Sequence, residues 1–548
     1  MKKLILLVVL LFSKNVWAQT PIALYPDINI SKVMTVRNNV TRLCYSNLDS
    51  SFYYLTYDGE VYKIVNQGNS FVDTLLYNIS NHGIETCQGM VIQDSSIYIS
   101  GNNGTNDPLT VGKIMKGALQ PNNTRVWSSF AETVPYETAQ QFDHFFSGLG
   151  INSTGDTILI CSGSRGDHGE VKTNGGLYPN LRNLAITSVI LQIPTSANGI
   201  VIPNDSVLLD NQGLVYARGI RNTYDFAFNA SGDLFGAENS GDRDMEDELN
   251  YLQRGHHYGF PWMMGGTYNP QQYSWFNPAA DLLINHQSGS WNQGAFYNDP
   301  DFPQTPVGLV MDLPCKNLGL NAAYMRDSAT GITYNAAANG EYIYSFTPHR
   351  SPLGLVFDND SLLDAFYNGN GFVLSYTKGD STLAGFSKLL APFGDDSEDI
   401  TMLKMIKDSA TNTYSFIANR IVYGFDHPID AVMLDTSIYV IEIGYAGTSS
   451  LWKISLPKKL NTSIAENNSR ELLIYPNPVK NNLEIELPFQ QEDKYVVSVF
   501  DINGRTVYSN KISAKSRISV PVSNLANGTY IVEVRNAKQI LRRKFEKQ

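Results

Sequence analysis

Short runs of alternating or continuous apolar residues recur along this chain, each broken by a turn of Asp, Asn, Ser or Gly. The first reads "SFYYLTYDGEVYKIV" within Leu43 to Val65, and the second "GMVIQDSSIYISG" then "VGKIM" within Gln88 to Met115. The third, within His144 to Ile193, reads "GLGINSTGDTILICSG" then "SVILQI", and the fourth, from Gly219, contains "DFAFNASGDLFGAENSG". The fifth, from Pro352, reads "LGLVFDNDSLLDAFYNGNGFVLSYT", and the sixth, from Pro428, "DAVMLDTSIYVIEIGYAGTSSLWKISL". Val, Ile, Tyr and Phe fill the runs, as pleated strands prefer. Pairs such as Asp-Gly and Ser-Gly reach the backbone conformations that tight hairpins need.

Each unit is therefore a small antiparallel sheet with two apolar faces. Such a sheet buries both faces by packing between neighbours in a ring. The expected fold class is all-β: a six-bladed β-propeller over residues 19–460, followed by a small C-terminal β-sandwich. A single large sandwich or two smaller β domains are the alternatives. Two stretches, 255–315 and 394–413, read as long irregular loops, which often carry function.

The ends differ from the middle. Lys2 and Lys3, an apolar run from Leu4 to Phe12, and Ala18 after Val16 and Trp17 describe a cleavable leader over residues 1–18. The run is too short to span a bilayer. No later stretch is long and apolar enough either, so a mature chain without a transmembrane segment is expected. Residues 461–470, "NTSIAENNSR" from Asn461 to Arg470, are polar and aperiodic and read as a linker. Residues 471–548 return to strand pattern, with an Asn503-Gly504 hairpin turn.

Composition narrows the function classes. The formal charge is -11, which argues against a nucleic-acid partner. From Glu466 onward the sign reverses, with 13 Lys and Arg against 9 Asp and Glu. Cys44, Cys87, Cys161 and Cys315 are too far apart in sequence for a zinc knuckle or redox pair; up to two disulfides or free buried thiols are both open.

Ala217 to Trp262 is the segment densest in candidate chemistry. Arg218 and Arg221 precede a strand pair, and Asp242, Asp244, Glu246, Asp247 and Glu248 follow it. Grouped oxygens suit calcium, although the spacing is not that of an EF-hand and a solvated acidic loop explains it equally. His144 stands before the third unit, where an imidazole could act as a general base. His349 and Arg350 stand before the fifth unit, and Arg420 and His427 flank the start of the sixth.

These residues fall into a familiar order. Gly219-Ile220-Arg221-Asn222, then Asp247-Glu248-Leu249-Asn250, then Tyr258-Gly259-Phe260-Pro261 resemble the signature of soluble glucose and sorbosone dehydrogenases. Asp143, His144, Ser147 and Gly148 resemble the family's "DH-(S)-G" segment, "HRSPLGLVF" its "H-APSGL" strand, and "HPIDAVMLDTSIYVIE" its closing blade. The similarity spans about residues 40 to 456. It implies a six-bladed propeller that uses pyrroloquinoline quinone (PQQ) and calcium. By the same resemblance His144 and Arg221 are catalytic, with His144 removing the proton of the sugar hydroxyl. Arg221, Asn222, His349 and Arg420 would face the cofactor's carboxylates. Glu238, Asn239, Ser240 and Gly241, with Asp247, would hold the calcium. The chain departs from the pattern at Leu149, Ser164, Thr223 and Asn239-Ser240-Gly241; at Leu149 many members carry arginine.

In the tail, Tyr475-Pro476-Asn477-Pro478, then Phe500, Asp501, Gly504 and Arg505, then Leu525, Gly528 and Tyr530 resemble the C-terminal sorting domain of type IX secretion cargo. That implies the type IX machinery as a partner, and release or attachment at the cell surface by way of the periplasm. The functional expectation is an exported quinone- and calcium-dependent oxidoreductase acting on aldose sugars or related alcohols. The alternatives are a non-catalytic surface propeller that binds glycan or protein, and a calcium-dependent lactonase-like hydrolase.

Overall fold

The computed structural model describes residues 20–548 except residues 69, 140–142, 446–447, 460–471, 488–492, 515 and 537–539. The expected leader (1–18) and linker (461–470) lie outside the described residues. The chain divides into two compact units, residues 1–459 and 460–548.

Among the described residues, six sheets of the first unit are arranged as a ring. Their first strands are Val40–Ser46, Thr86–Gln93, Phe146–Ile151, Thr223–Phe228, Pro352–Phe357 and Pro428–Leu434. Each packs against the first strand of the sheet before and after it, and the last packs against the first, so they form a closed ring around the axis. The remaining strands of each sheet run outward in sequence order, the pattern of propeller blades. The fourth blade has three strands, Thr223–Phe228, Leu234–Glu238 and Glu248–Leu252. Blade six takes its outermost strand, Asn29–Thr35, from the start of the unit, paired antiparallel with Ser450–Ser455. Ile22–Ala23 adds to the edge of blade five.

Side-chain alternation explains the ring. In blade three, Ile158 and Ile160 face blade two and share a core with Tyr98, Ile114 and Phe130. Their neighbours Leu159 and Cys161 face blade four and meet Leu234 and Leu252. In blade five, Val373 packs toward blade four, while Phe372 and Leu374 pack toward blade six. A period of two with both faces apolar leaves no stable place for a blade except between two others.

Arg42 of blade one crosses the axis: its guanidinium donates to the carbonyls of Gln88 in blade two and Tyr224 in blade four. It also lies 3.8 Å from Asp430 of blade six. Residues that precede an inner strand are linked to the blade before it at the mouth of the channel, as Arg221 is to Ser164, Ser351 to Asp247 and His427 to Glu398. That mouth is backbone-strained: Asn39, Phe145, His349, Ser351 and His427 all have positive φ, which non-glycine residues adopt at a cost of order 1 kcal/mol or more.

Residues 394–413 depart from the expected loop. Ser397–Asp408 is a long strand of blade five, paired with Thr413–Tyr423. Its start, Ser-Glu-Asp, hid it: Glu398 and Asp399 are buried, and Asp399 is bonded to Arg350 and Arg420. The connection between blades four and five is long, as expected, and carries two short hairpins, Met263–Met264 with Thr267–Tyr268 and Tyr324–Arg326 with Thr333–Asn335. The four cysteines are free thiols.

In the second unit, a three-stranded sheet (Leu473–Tyr475, Asn482–Glu486, Arg517–Pro521) and a four-stranded sheet (Asp493–Asp501, Thr506–Ala514, Gly528–Arg535, Ile540–Lys547) share one core. Ile485, Ile518 and Val520 of the first meet Val497, Val499 and Val532 of the second, which makes a small sandwich.

Candidate functional site

His144 sits just before the inner strand of blade three, half-buried at the mouth. Its Nδ1 lies 3.0 Å from the Ser164 carbonyl and 3.1 Å from the Ser164 hydroxyl. The carbonyl can only accept, so Nδ1 carries the proton and Nε2 is left with its lone pair. Burial, reinforced by the charge of Arg221, pushes the imidazole pKa down to about 3, so the ring is neutral. Gly163 makes the placement possible, because a Cβ there would lie 2.4 Å from His144 Cβ.

Arg221 enters from the start of blade four and is almost fully buried. Its Nε donates to the Asp167 carbonyl at 2.8 Å and its Nη2 to Asp167 Oδ1 at 3.2 Å. Its Nη1 reaches both oxygens of Asn239, at 3.1 Å to the carbonyl and 3.0 Å to Oδ1. Asn222 bridges Asn239 Oδ1 at 3.2 Å and the Ser147 hydroxyl at 3.2 Å. Glu238 accepts from the Arg221 backbone N–H and from Thr223 Oγ1, and burial pushes its carboxyl up to about 7. His144, Arg221, Asn222, Glu238 and Asn239 thus form one connected cluster.

Asp167 is the hub that sequence reasoning missed. It accepts from Arg221, from the Asp242 backbone N–H at 3.0 Å, and from His168 Nδ1 at 2.9 Å. Burial opposes its charge, but the His168 hydrogen bond and the Arg221 charge outweigh that and hold the pKa low. His168 stacks on Phe296 at 4.3 Å. The only sequence signal was the charged run "SRGDHGE" after the second strand of the third unit.

The other expected residues are placed differently. Ser240 donates through its N–H and its hydroxyl to Asp247 Oδ1, both at 2.7 Å, and Asp247 Oδ2 accepts from the Ser351 N–H at 2.8 Å. Asp247 thereby ties blade four to blade five. Gly241 lies against Asp167, where a Cβ would meet that carboxylate at 2.8 Å. His349 donates from Nε2 to Asp244 at 2.7 Å; burial opposes its charge, yet Asp244 and the nearby Asp247 and Asp242 raise its pKa. Arg420 joins a separate ring. It bonds Asp399 and Asp395, each at 2.6 Å. Arg350 bonds the same two carboxylates.

The charge balance decides what the mouth can hold. A trianionic quinone needs cations free to pair with it. Arg221 is matched by Asp167, His349 and Arg326 by Asp244, and Arg350 and Arg420 by Asp395 and Asp399. His427 is matched by Asp426 and Glu398. Among the described residues here, Arg165 has a guanidinium without hydrogen bonds, and it is buried 3.9 Å from Asp143. Most cations at the mouth are therefore held by protein carboxylates, and Arg165, whose three guanidinium nitrogens make no hydrogen bond, is the one left to meet a carboxylate of the trianion. Of the atoms expected to hold calcium, both Asn239 oxygens accept from Arg221 and both Asp247 oxygens accept from protein donors, which leaves the Asn239 carbonyl and Asp247 Oδ2 each with a lone pair to spare. Among the described residues, the histidine and carboxylate group spaced for a metal is Glu398, Asp426 and His427, where blades five and six meet.

Residues 94–303 match the family model Glucose / Sorbosone dehydrogenase, and residues 473–548 match Secretion system C-terminal sorting domain. The first match contains His144, Arg221 and the Glu238 to Asp247 loop and ends before His349 and Arg420. No curated protein matches the chain. Among solved structures, the soluble aldose sugar dehydrogenase of Escherichia coli in the apo-form is similar at 15% identity, covering 78% of this chain and 99% of that one, with a TM-score of 0.48. The PQQ-bound aldose sugar dehydrogenase of Streptomyces coelicolor is similar at 11% identity, covering 79% and 99%, with a TM-score of 0.44. The holo PQQ domain of pyranose dehydrogenase from Coprinopsis cinerea is similar at 12% identity, covering 80% and 97%, with a TM-score of 0.47. No helix among the described residues is long and apolar enough to cross a membrane.

Proposed function

We propose that this chain, which joins a glucose/sorbosone dehydrogenase region to a secretion sorting tail, is an exported oxidoreductase acting on a hydroxyl of an aldose sugar or related alcohol. The observation that carries the reading is His144: a neutral imidazole at the channel mouth, its Nδ1 proton fixed by Ser164 and its Nε2 lone pair free among the described residues. Such a group takes the hydroxyl proton as the carbon–oxygen double bond forms and the two electrons leave with the carbon-bound hydrogen. Arg221 sits beside it, braced from two sides, and lowers the imidazole's affinity for a proton before the reaction begins. The tail match supports export, and the type IX machinery is the route that its motifs imply.

The acceptor implied by the family match is PQQ held with calcium. Arg165, without a hydrogen bond, is the cation left to meet it, while the pairing of the other cations at the mouth favours a second reading: a propeller that binds a sugar at the cell surface without redox chemistry. One experiment separates the two. The exported chain is stripped of metal, supplied with calcium, and titrated with PQQ by calorimetry. A panel of aldoses is then tested with an artificial electron acceptor. One-to-one binding with aldose oxidation that His144→Ala abolishes supports the oxidoreductase. A folded chain that neither binds the quinone nor oxidises an aldose overturns it and leaves the binding propeller.

A further inference from the structure

The long connection between blades four and five builds a groove on the outer side of the mouth. Its cavity is about 840 Å³, inside the range of roughly 300–1,000 Å³ that small-molecule sites occupy. Asp244 and Glu246 form part of its floor, and Tyr268, Tyr273 and Trp275 stand along one wall. The Tyr273 and Trp275 rings are stacked, with centroids 5.3 Å apart and planes 10° apart. Trp275 is 71% exposed and Tyr268 55% exposed.

A large aromatic ring exposed to water and backed by a second ring stacked on it marks a surface that meets something. The polar groups beside them say what. Arg243 pairs with Asp281 at 2.9 Å and Arg326 with Asp244 at 2.5 Å, so both cations and both carboxylates are held rigid. Each carboxylate still has lone pairs to accept hydroxyl protons. A flat apolar platform with planar hydrogen-bonding groups beside it is complementary to a pyranose, whose C–H face is apolar and whose hydroxyls radiate from its edge. Carboxylates outnumber cations here, since Asp327 has no cationic partner among the described ion pairs and Glu246, which burial pushes up to about 7, adds part of a charge, so an anionic sugar is disfavoured. We propose that this groove binds a neutral oligosaccharide, stacked on Trp275, which Tyr273 backs, and hydrogen-bonded to the Arg243–Asp281 and Arg326–Asp244 pairs.

The groove is continuous with the mouth through Asp244, which bonds Arg326 on one side and His349 on the other. The site stands on the groove's own residues and needs neither cofactor nor oxidation, so it holds under either functional reading.

The test is calorimetry on the full exported chain, without quinone or added metal. Cellohexaose, maltohexaose, xylohexaose and mannohexaose are the probes, and a galacturonic acid hexamer is the anionic control. At least one neutral hexasaccharide binds and the anionic one does not. Trp275→Ala weakens binding roughly tenfold, the upper end of what one stacked aromatic contact supplies, and Trp275→Phe restores most of it. His144→Ala leaves binding intact, which separates the groove from the mouth. Failure of every neutral hexasaccharide to bind, or binding that survives both Trp275→Ala and Tyr273→Ala, overturns the proposal. Neither result bears on oxidation at His144.

Discussion

Replacing Arg350 by methionine removes one corner of a closed square of charge. Arg350 is wholly buried and bonds both oxygens of Asp399, at 2.6 and 2.7 Å, as well as Asp395 and the Ser375 hydroxyl. Arg420 bonds the same two aspartates from the more open side. Two cations and two anions cancel; with Arg350 gone, two buried carboxylates share one partner. Losing one partner of a buried ion pair costs about 3–5 kcal/mol. The protein can escape some of that by protonating one aspartate. At pH 7 this costs about 4 kcal/mol for a carboxyl of ordinary pKa near 3.9, at about 1.4 kcal/mol per pH unit. The expected loss in Arg350→Met is therefore about 3–4 kcal/mol at pH 7, shrinking toward about 1.5 kcal/mol at pH 5. The sign agrees with the parent protein. Burial opposes the Asp395 charge, but Arg350 and Arg420 outweigh it and hold that pKa low, so its contribution is present at neutral pH and lost in acid. Adding Asp399→Asn removes the surplus negative charge and recovers about 2 kcal/mol, a coupling within the range for residues in contact. Urea denaturation followed by tryptophan fluorescence measures all of this in the first unit alone, because every tryptophan lies at or before residue 452. A loss below about 1 kcal/mol that does not change with pH would refute the reasoning.

Two other expectations follow from titratable groups. With its pKa pushed down to about 3, His144 is already deprotonated across the working range, so the His144-dependent component of kcat/KM is flat from pH 5 to 8; an inflection near pH 6.5 that disappears in His144→Ala contradicts this. Near the axis, burial and the charge of Asp430 push Asp225 up to about 7. A pKa raised by folding gives stability that is complete below the unfolded value and lost as pH rises through 7, so Asp225→Asn flattens the fall in denaturation midpoint between pH 5 and pH 8, whereas an unchanged slope would place that fall elsewhere.

The blades were legible because their period-two runs are local. "GLGINSTGDTILICSG" contains most of the strand Phe146–Ile151, all of Thr157–Ser162 and the turn between them. The strand Ser397–Asp408 was not legible, since its charged start reads as loop until Arg350 and Arg420 supply the partners that let it be buried. The closing strand Asn29–Thr35 was missed for another reason: nothing near it in sequence announces a partner at Ser450–Ser455. At the site, His144 and Arg221 stood out through their motifs. Asp167 did not, because its importance comes from Arg221, 54 residues away in sequence. The departure at Ser164 reads differently in three dimensions: its carbonyl and hydroxyl are what fix the His144 tautomer.

The ring closure has a mechanical side. Asn29 lies directly opposite Ser455, and Thr35 opposite Ser450. Traction applied through the two ends of the propeller first detaches Ile22–Ala23 at one end and, at the other, the bonds that tie Pro457 and Lys459 to Asp364 and Leu362, and then reaches this pair. The force arrives across the ladder at the Asn29–Ser455 end, so the hydrogen bonds break in succession, as in a zipper, instead of sharing the strain as in shear. A propeller drawn by its ends therefore opens at blade six, while the remaining blades keep their own hairpins.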